Sequence, residues 1–221
     1  MKIRIEKTNI GNIMSVYMDK GDMICAEPGA IISSTGEIEI SSELAGGLAS
    51  SALRFIGGGE SAFINRITAK ENLTLQLGTP IPSEIAEVPL NGGMILGDGV
   101  YLAHTGDITI SSKFGGLTSL SAGAGFMFLH ASGKGKLYLA GGEALFKKSL
   151  KDGEAFIVDN ACFVGVEDSA KMEKFIAGKN LMSKLAGGEG IMLKITGPAT
   201  VYYQTESPAS LASYLAKYVK G

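Results

Sequence analysis

The sequence predicts a nearly all-β chain, and three observations predict it. Apolar residues alternate with polar ones in many short runs, glycine is in excess, and convincing helical spacing is confined mainly to the C-terminal end. Of 221 residues, 31 are glycine, about twice the usual ~7%, while proline stays at 6 and no collagen-like three-residue period is present. Such an excess implies many tight turns between short strands.

The elements follow in order. Met1 to Lys7 alternates apolar and charged residues, placing Ile3 and Ile5 on one face of an amphipathic strand. The period of two returns at Ile38/Ile40, Leu73/Leu75/Leu77, Ile108/Ile110, Leu137/Leu139 and Leu193/Ile195, and Gly, Pro, Asn or Asp closes each run. The spacing of Met172, Phe175 and Ile176 predicts a short helix around Ser169 to Ala177. Ser207 suits an N-cap and Pro208 a first helical position, and Leu211, Tyr214, Leu215 and Tyr218 share one face, which predicts a C-terminal helix over 207–220.

With 45% apolar and 19% charged residues and a positive mean hydropathy, the chain buries enough surface to fold. A net charge of −2 provides no global field to attract nucleic acid or an anionic membrane. Cys25 and Cys162 lack a CxxC spacing, so neither a disulfide framework nor a structural zinc site is indicated, and a reducing compartment fits best. The N-terminus lacks the apolar stretch of a signal peptide, and no run approaches the ~18 apolar residues that cross a bilayer. The expectation is a cytoplasmic protein.

An internal repeat organises the chain. Gly59-Glu60-Ser61-Ala62-Phe63-Ile64, Gly123-Ala124-Gly125-Phe126-Met127-Phe128 and Gly188-Glu189-Gly190-Ile191-Met192-Leu193 superimpose, preceded at fixed offsets by Leu53/Ile56, Leu117/Leu120 and Met182/Leu185. Leu73/Leu75, Leu137/Leu139 and, after a deletion, Val201/Tyr203 follow them. A second anchor lies upstream in Gly21-Asp22-Met23-Ile24, Gly92-Gly93-Met94-Ile95 and Gly153-Glu154-Ala155-Phe156, each leading to a turn dipeptide: Pro28-Gly29, Asp98-Gly99 or Asp159-Asn160. Three β-modules are expected, over about 1–78, 79–143 and 144–206, followed by the helix. Each is longer than a propeller blade and suits a small sandwich or barrel whose open edges are covered by neighbouring modules. A last module with the same edge as the first lets identical chains close into a ring.

The run Ala26-Glu27-Pro28-Gly29-Ala30, then Gly59-Glu60-Ser61, Gly99-Val100-Tyr101-Leu102-Ala103, Gly187-Gly188-Glu189-Gly190, and Gly197-Pro198 through Gln204-Thr205 resembles the mitochondrial-biogenesis family of altered-inheritance-of-mitochondria proteins. The resemblance covers nearly the whole chain. It implies three tandem repeats of a short double-stranded β-helix, barrel-like and similar to the subunit of the trp RNA-binding attenuation protein, assembling as a homotrimeric ring. Eukaryotic members are mitochondrial and linked to inner-membrane organisation; the N-terminus here, without a presequence, is expected of a prokaryotic-type member. Gly197-Pro198-Ala199 departs from the family's frequent Gly-Pro-Gly.

Candidate chemistry is sparse. His104 and His130 could join Cys25, Cys162 or Asp107 on a metal, yet no His-x-His or His-x-x-x-His spacing holds them together; the structural reading puts His104 at a strand end and His130 partly buried in a strand. Gly57-Gly58-Gly59-Glu60 and Ala186-Gly187-Gly188-Glu189-Gly190 lack the ending of a P-loop and read as turns. Glu60 and Glu189 correspond to Ala124 in the middle copy, which suits a turn better than a catalytic carboxylate. No catalytic, cofactor or metal residue is therefore assigned. Lys134, Lys136, Lys147, Lys148 and Lys151 form the best basic cluster, without counterparts in the other modules. The 44–56 stretch offers Leu48, Leu53, Phe55 and Ile56 for peripheral membrane contact. The expected function is a non-enzymatic ring-forming scaffold or interaction protein linked to membrane or cell-envelope organisation. Two readings compete with it: a cupin-like small-molecule or metal-binding β-barrel enzyme, and an RNA-binding ring.

Overall fold

Alternation becomes strand pairing from the first residues. In a computed structural model describing residues 1–44, 63–111, 128–175, 192–216 and 218–219, β1 (Lys2–Thr8) turns back as β2 (Gly11–Met18), paired from Lys2↔Tyr17 to Thr8↔Gly11. There follow β3 (Met23–Ala26), β4 (Ile31–Ser34), β5 (Ile38–Leu44), β6 (Phe63–Ala69) and β7 (Leu73–Leu77). Next come three long strands, β8 (Glu84–Leu96), β9 (Tyr101–Ser111) and β10 (Leu129–Gly141). The last set is β11 (Leu145–Leu150), β12 (Ala155–Asp159), β13 (Phe163–Glu167), β14 (Lys171–Phe175), β15 (Met192–Thr196) and β16 (Ala199–Gln204), before the helix α1 (Pro208–Ala216). The chain is all-β with a short C-terminal helix, and every period-two run named above lies in a strand.

One pairing scheme occurs three times among the described residues. In the first set β2 and β4 flank β7, while β3 and β5 flank β6. In the last set β11 and β13 flank β16, while β12 and β14 flank β15. In the middle β8 and β9 flank β10 along its length, so each long strand runs through both layers. A β-bulge recurs at one place in the scheme: Ile32, Leu102 and Val164 are each the extra residue, between Ile31 and Ser33 opposite β7, Tyr101 and Ala103 opposite β10, and Phe163 and Gly165 opposite β16. These bulges set Leu75 and Leu77, rather than Leu73 and Leu75, level with Leu137 and Leu139. The turn at Lys70–Asn72, which uninterrupted β10 lacks, accounts for the two-residue difference.

Neighbouring sets share sheets. β3 pairs with β9 and β8 with β13, giving the continuous order β11-β16-β13-β8-β10-β9-β3-β6-β5, beside β1-β2-β7-β4 and β12-β15-β14. Glycine makes the corner in the long strands. Gly133 (φ +125°) pairs with Gly92 (φ +134°), and a Cβ on Gly133 would lie 2.1 Å from the Asp107 carbonyl oxygen.

Three cores fill the layers. The first holds Met14, Ile24, Ile67, Leu75 and Leu77 and also Leu102 and Tyr138 from the next set; the second holds Leu90, Met94, Leu137 and Leu139 with Val164; the third holds Phe163, Val166, Leu193, Ile195 and Val201 with Ile95. Each core thus borrows from an adjacent set.

The region 171–175 corrects the short helix expected around Ser169 to Ala177. It is β14, paired with β15 from Lys171↔Thr196 to Phe175↔Met192. The ladder satisfies its backbone while Met172 packs on the third core, so tertiary pairing overrides a spacing that also suits a helix. A C-terminal helix forms, over Pro208–Ala216 and so shorter than the expected 207–220, with the Ser210 N–H donating to Ser207 Oγ at 3.1 Å. The anchor glycines Gly59, Gly123 and Gly188 lie outside the described residues.

Candidate functional site

The places where one set of strands passes its sheet to the next concentrate the protein's unusual chemistry. At the first junction β3 meets β9 with Cys25 opposite His104 and Ala26 opposite Ala103, and the Glu27 N–H donates to the Leu102 carbonyl at 2.9 Å. The bulge at Leu102 brings Tyr101 and His104 to one face, where the Tyr101 hydroxyl and His104 Nδ1 lie 2.8 Å apart. Both side chains are buried. Burial, then the nearby Cys25 and Glu27, pushes the Tyr101 phenol well above its ordinary range, so the phenol keeps its proton and shares a hydrogen bond with Nδ1. Burial, then the Arg66 guanidinium, pulls His104 down to about 4, against a backbone hydrogen bond to Ile108 that favours protonation. The pair is therefore neutral and self-satisfied at ordinary pH.

Glu27 ends the same junction. Burial, with the negative charge of Asp98 beside it, pushes its carboxyl up to about 7. It lines a cavity of about 400 Å³ with Pro28, Thr79, Pro80, Ile81 and Ser83. A carboxyl titrating near neutrality in such a hollow can take up or release a proton, but the lining offers no histidine, cysteine or lysine as a second group.

At the second junction β8 meets β13, and the Gly97 N–H donates to the Val164 carbonyl at 2.9 Å, the same contact as between Glu27 and Leu102. Here the facing residues are apolar: Ile95 opposes Val166, both buried. At its rim His130 Nε2 lies 2.9 Å from Asp168 Oδ2.

The residues singled out in the sequence separate in space. His104 is inside β9 rather than at a strand end, opposite Leu137, while His130 is seven residues further back along β10, beyond the glycine corner. They engage different partners, Tyr101 and Asp168, and Asp107 pairs in register with Lys134. No disulfide joins Cys25 and Cys162. Among the described residues no group of three or more His, Cys, Asp or Glu is placed to hold a metal. Three of the five clustered lysines have local partners: Lys136 reaches Glu87 at 2.8 Å, Lys148 reaches Glu154 at 3.0 Å, and Lys147 sits 5.7 Å from the Tyr202 ring centroid. Glu60, Glu189 and Leu48, Leu53, Phe55 and Ile56 lie outside the described residues. Among those described, no helix is long and apolar enough to cross a membrane.

The sequence reading missed the Tyr101–His104 pair and the raised Glu27. A bulge that brings positions three apart onto one face leaves no signal in a period-two pattern.

Sheets shared from set to set, with a buried polar pair in the first joint and apolar packing in the second, define a multi-sheet β protein built by lateral strand addition. The chain belongs to the mitochondrial biogenesis AIM24 family, whose model matches residues 3–206. Among solved structures it is similar to the crystal structure of protein SPYM3_0169 from Streptococcus pyogenes, with 21% identity, 99% of each chain covered and a TM-score of 0.79. That likeness is one of fold. No curated protein matches significantly.

Proposed function

We propose that the protein is a non-enzymatic scaffold: a chain of three tandem β-units, over 1–78, 79–143 and 144–206, that closes with two identical chains into a homotrimeric ring and presents that ring to other proteins. The observation that carries the reading is the repeated handover of one sheet to the next set of strands, β3 to β9 and then β8 to β13. A chain that extends itself twice by one contact has a natural third use for it, between molecules. The non-catalytic part draws support from two strongly perturbed groups, Tyr101 and His104, which satisfy one another inside a closed joint. The family's association with mitochondrial biogenesis supports a role in organising a membrane-bounded compartment or envelope. Light scattering at micromolar concentration tests the ring. A mass of three times 23.0 kDa is expected, and a clean 23.0 kDa species refutes it.

A further inference from the structure

Resting on that reading, we infer that the contact between chains is an antiparallel addition of the β12 edge of one molecule to the β4 edge of a second copy, with Val158 opposite Ser33 and Ile157 opposite Ser34. The two internal junctions supply the template.

Equivalent positions are fixed by geometry. Gly21 donates to the Ala69 carbonyl and Gly153 to that of Gly197, while the amides of Asp19 and Lys151 donate to the carboxylates of Asp22 and Glu154. This sets Cys25 and Ala26 of β3 level with Ile157 and Val158 of β12. The shared contact of Glu27 with Leu102 and Gly97 with Val164 sets Ile95 and Leu96 at the same two places. On the receiving strand the three bulges align Ile32 with Leu102 and Val164.

Exposure follows whether a neighbour is present. Leu102 and Val164 are 0% exposed, packed in the core of the preceding set; Ile32, in the first of the described sets, is 52% exposed. Ile95, packed in the core of the following set, is 2% exposed; Ile157, in the last of the described sets, is 41% exposed. The third core also shows its open end. Met14, opposite Leu77, is fully buried, whereas its counterpart Phe146, opposite Tyr203, is 43% exposed and stacked on that ring at 5.2 Å. Ile32 of a second copy would take the place by this aromatic pair that Leu102 takes beside Met14 and Leu77, and Ile157 would enter that copy's first core.

Charge sorts the sheet ends in the same way. The six ends among the described strands are β1, β4, β5, β11, β12 and β14. Four carry charges that oppose pairing with another chain: Lys2, Arg4, Glu6 and Lys7 on β1, Glu39 on β5, Lys147 and Lys148 on β11, and Lys171, Glu173 and Lys174 on β14. β4 carries none, and β12 only the terminal Asp159, whose carboxylate accepts from the Ala161 N–H. The two ends without that protection are the two the repeat would join.

The test mixes Ser33→Cys protein with Val158→Cys protein under mild oxidation, with peptide mapping to separate the new disulfide from any at Cys25 or Cys162. In the internal junctions this position is a non-hydrogen-bonded pair, where Cβ atoms approach closely enough for a disulfide. A 33–158 link between molecules is expected. Ile32→Asp, a change at an exposed site in the single chain, is expected to weaken association at least about 100-fold by placing a carboxylate in an apolar seam, with the circular dichroism spectrum of the subunit unchanged. A trimeric wild type that neither cross-links nor responds to Ile32→Asp overturns the interface and leaves the ring standing. A link formed within one chain carrying both cysteines overturns it too. A monomeric wild type removes both.

Discussion

The glycine corner of the long strands allows a stability prediction worked from geometry. At Gly133 φ is +125°, and an added Cβ would lie 2.1 Å from the Asp107 carbonyl oxygen and 3.2 Å from Ile108 Cα, all backbone. Gly133→Ala therefore combines a backbone penalty of about 1–3 kcal/mol with an overpacking penalty of about 1–3 kcal/mol, for a loss of roughly 2–6 kcal/mol. Gly29→Ala is the control. Its φ is +87°, yet nothing lies within 4 Å of the new Cβ, so only the backbone penalty of about 1–2 kcal/mol applies.

Urea unfolding followed by circular dichroism, with both variants at one protein concentration so that association contributes equally, should separate them by the overpacking penalty alone, about 1–3 kcal/mol. Losses equal within about 0.5 kcal/mol would show that close strand approach at the corner is not what requires glycine at 133. The comparison discriminates because both positions have positive φ and only one is crowded.

Two further predictions concern the first junction. Tyr101→Phe leaves the buried His104 Nδ1 without its hydrogen-bond partner and should cost about 1–3 kcal/mol in thermal or urea unfolding; an unchanged midpoint would mean that the hydroxyl is not that partner. The titrations of Glu27 and His104 oppose each other. The Glu27 carboxyl, raised from 4.5 to about 7 by burial and Asp98, favours the fold below pH 4.5, and that contribution is lost as pH rises through 7. His104, lowered from 6.5 to about 4 by burial and Arg66, favours the fold above pH 6.5, and that contribution is lost as pH falls through 4. Glu27→Gln should remove the alkaline loss, gaining about 1–2 kcal/mol at pH 8 relative to wild type after allowance for solvent screening, while the acid limb stays. A Glu27→Gln stability curve parallel to wild type from pH 5 to 8 would refute the assignment.

The strands were legible because each buries one face. Ile3 and Ile5 pack partly on the first core, and Leu73, Leu75 and Leu77 are all buried in it, so selection for a buried face left the period of two on display. The Lys171–Phe175 segment was not legible, because Met172 and Phe175 fit one face of a helix while the ladder to β15 decides the outcome from more than fifteen residues away. The corner was half legible. An excess of glycine announced tight turns, but that Gly92 and Gly133 face each other is a fact of register, and register depends on both strands.

The joints were hidden for a related reason. Ile32, Leu102 and Val164 have the same apolar character and each stands two residues into its strand after a turn, so nothing local separates the exposed one from the buried two. What separates them is whether a described set of strands comes before theirs to cover them, and a residue's own surroundings in the chain do not record that. Apolar side chains at an unprotected sheet edge are costly in an isolated molecule, since they invite unspecific pairing. The charges on β1, β5, β11 and β14 show that this chain blocks such pairing elsewhere. The absence of a similar block on β4, together with the exposure of Ile32 and Ile157, supports the proposed pairing of those edges between two copies of the chain, in the register that the internal junctions already use.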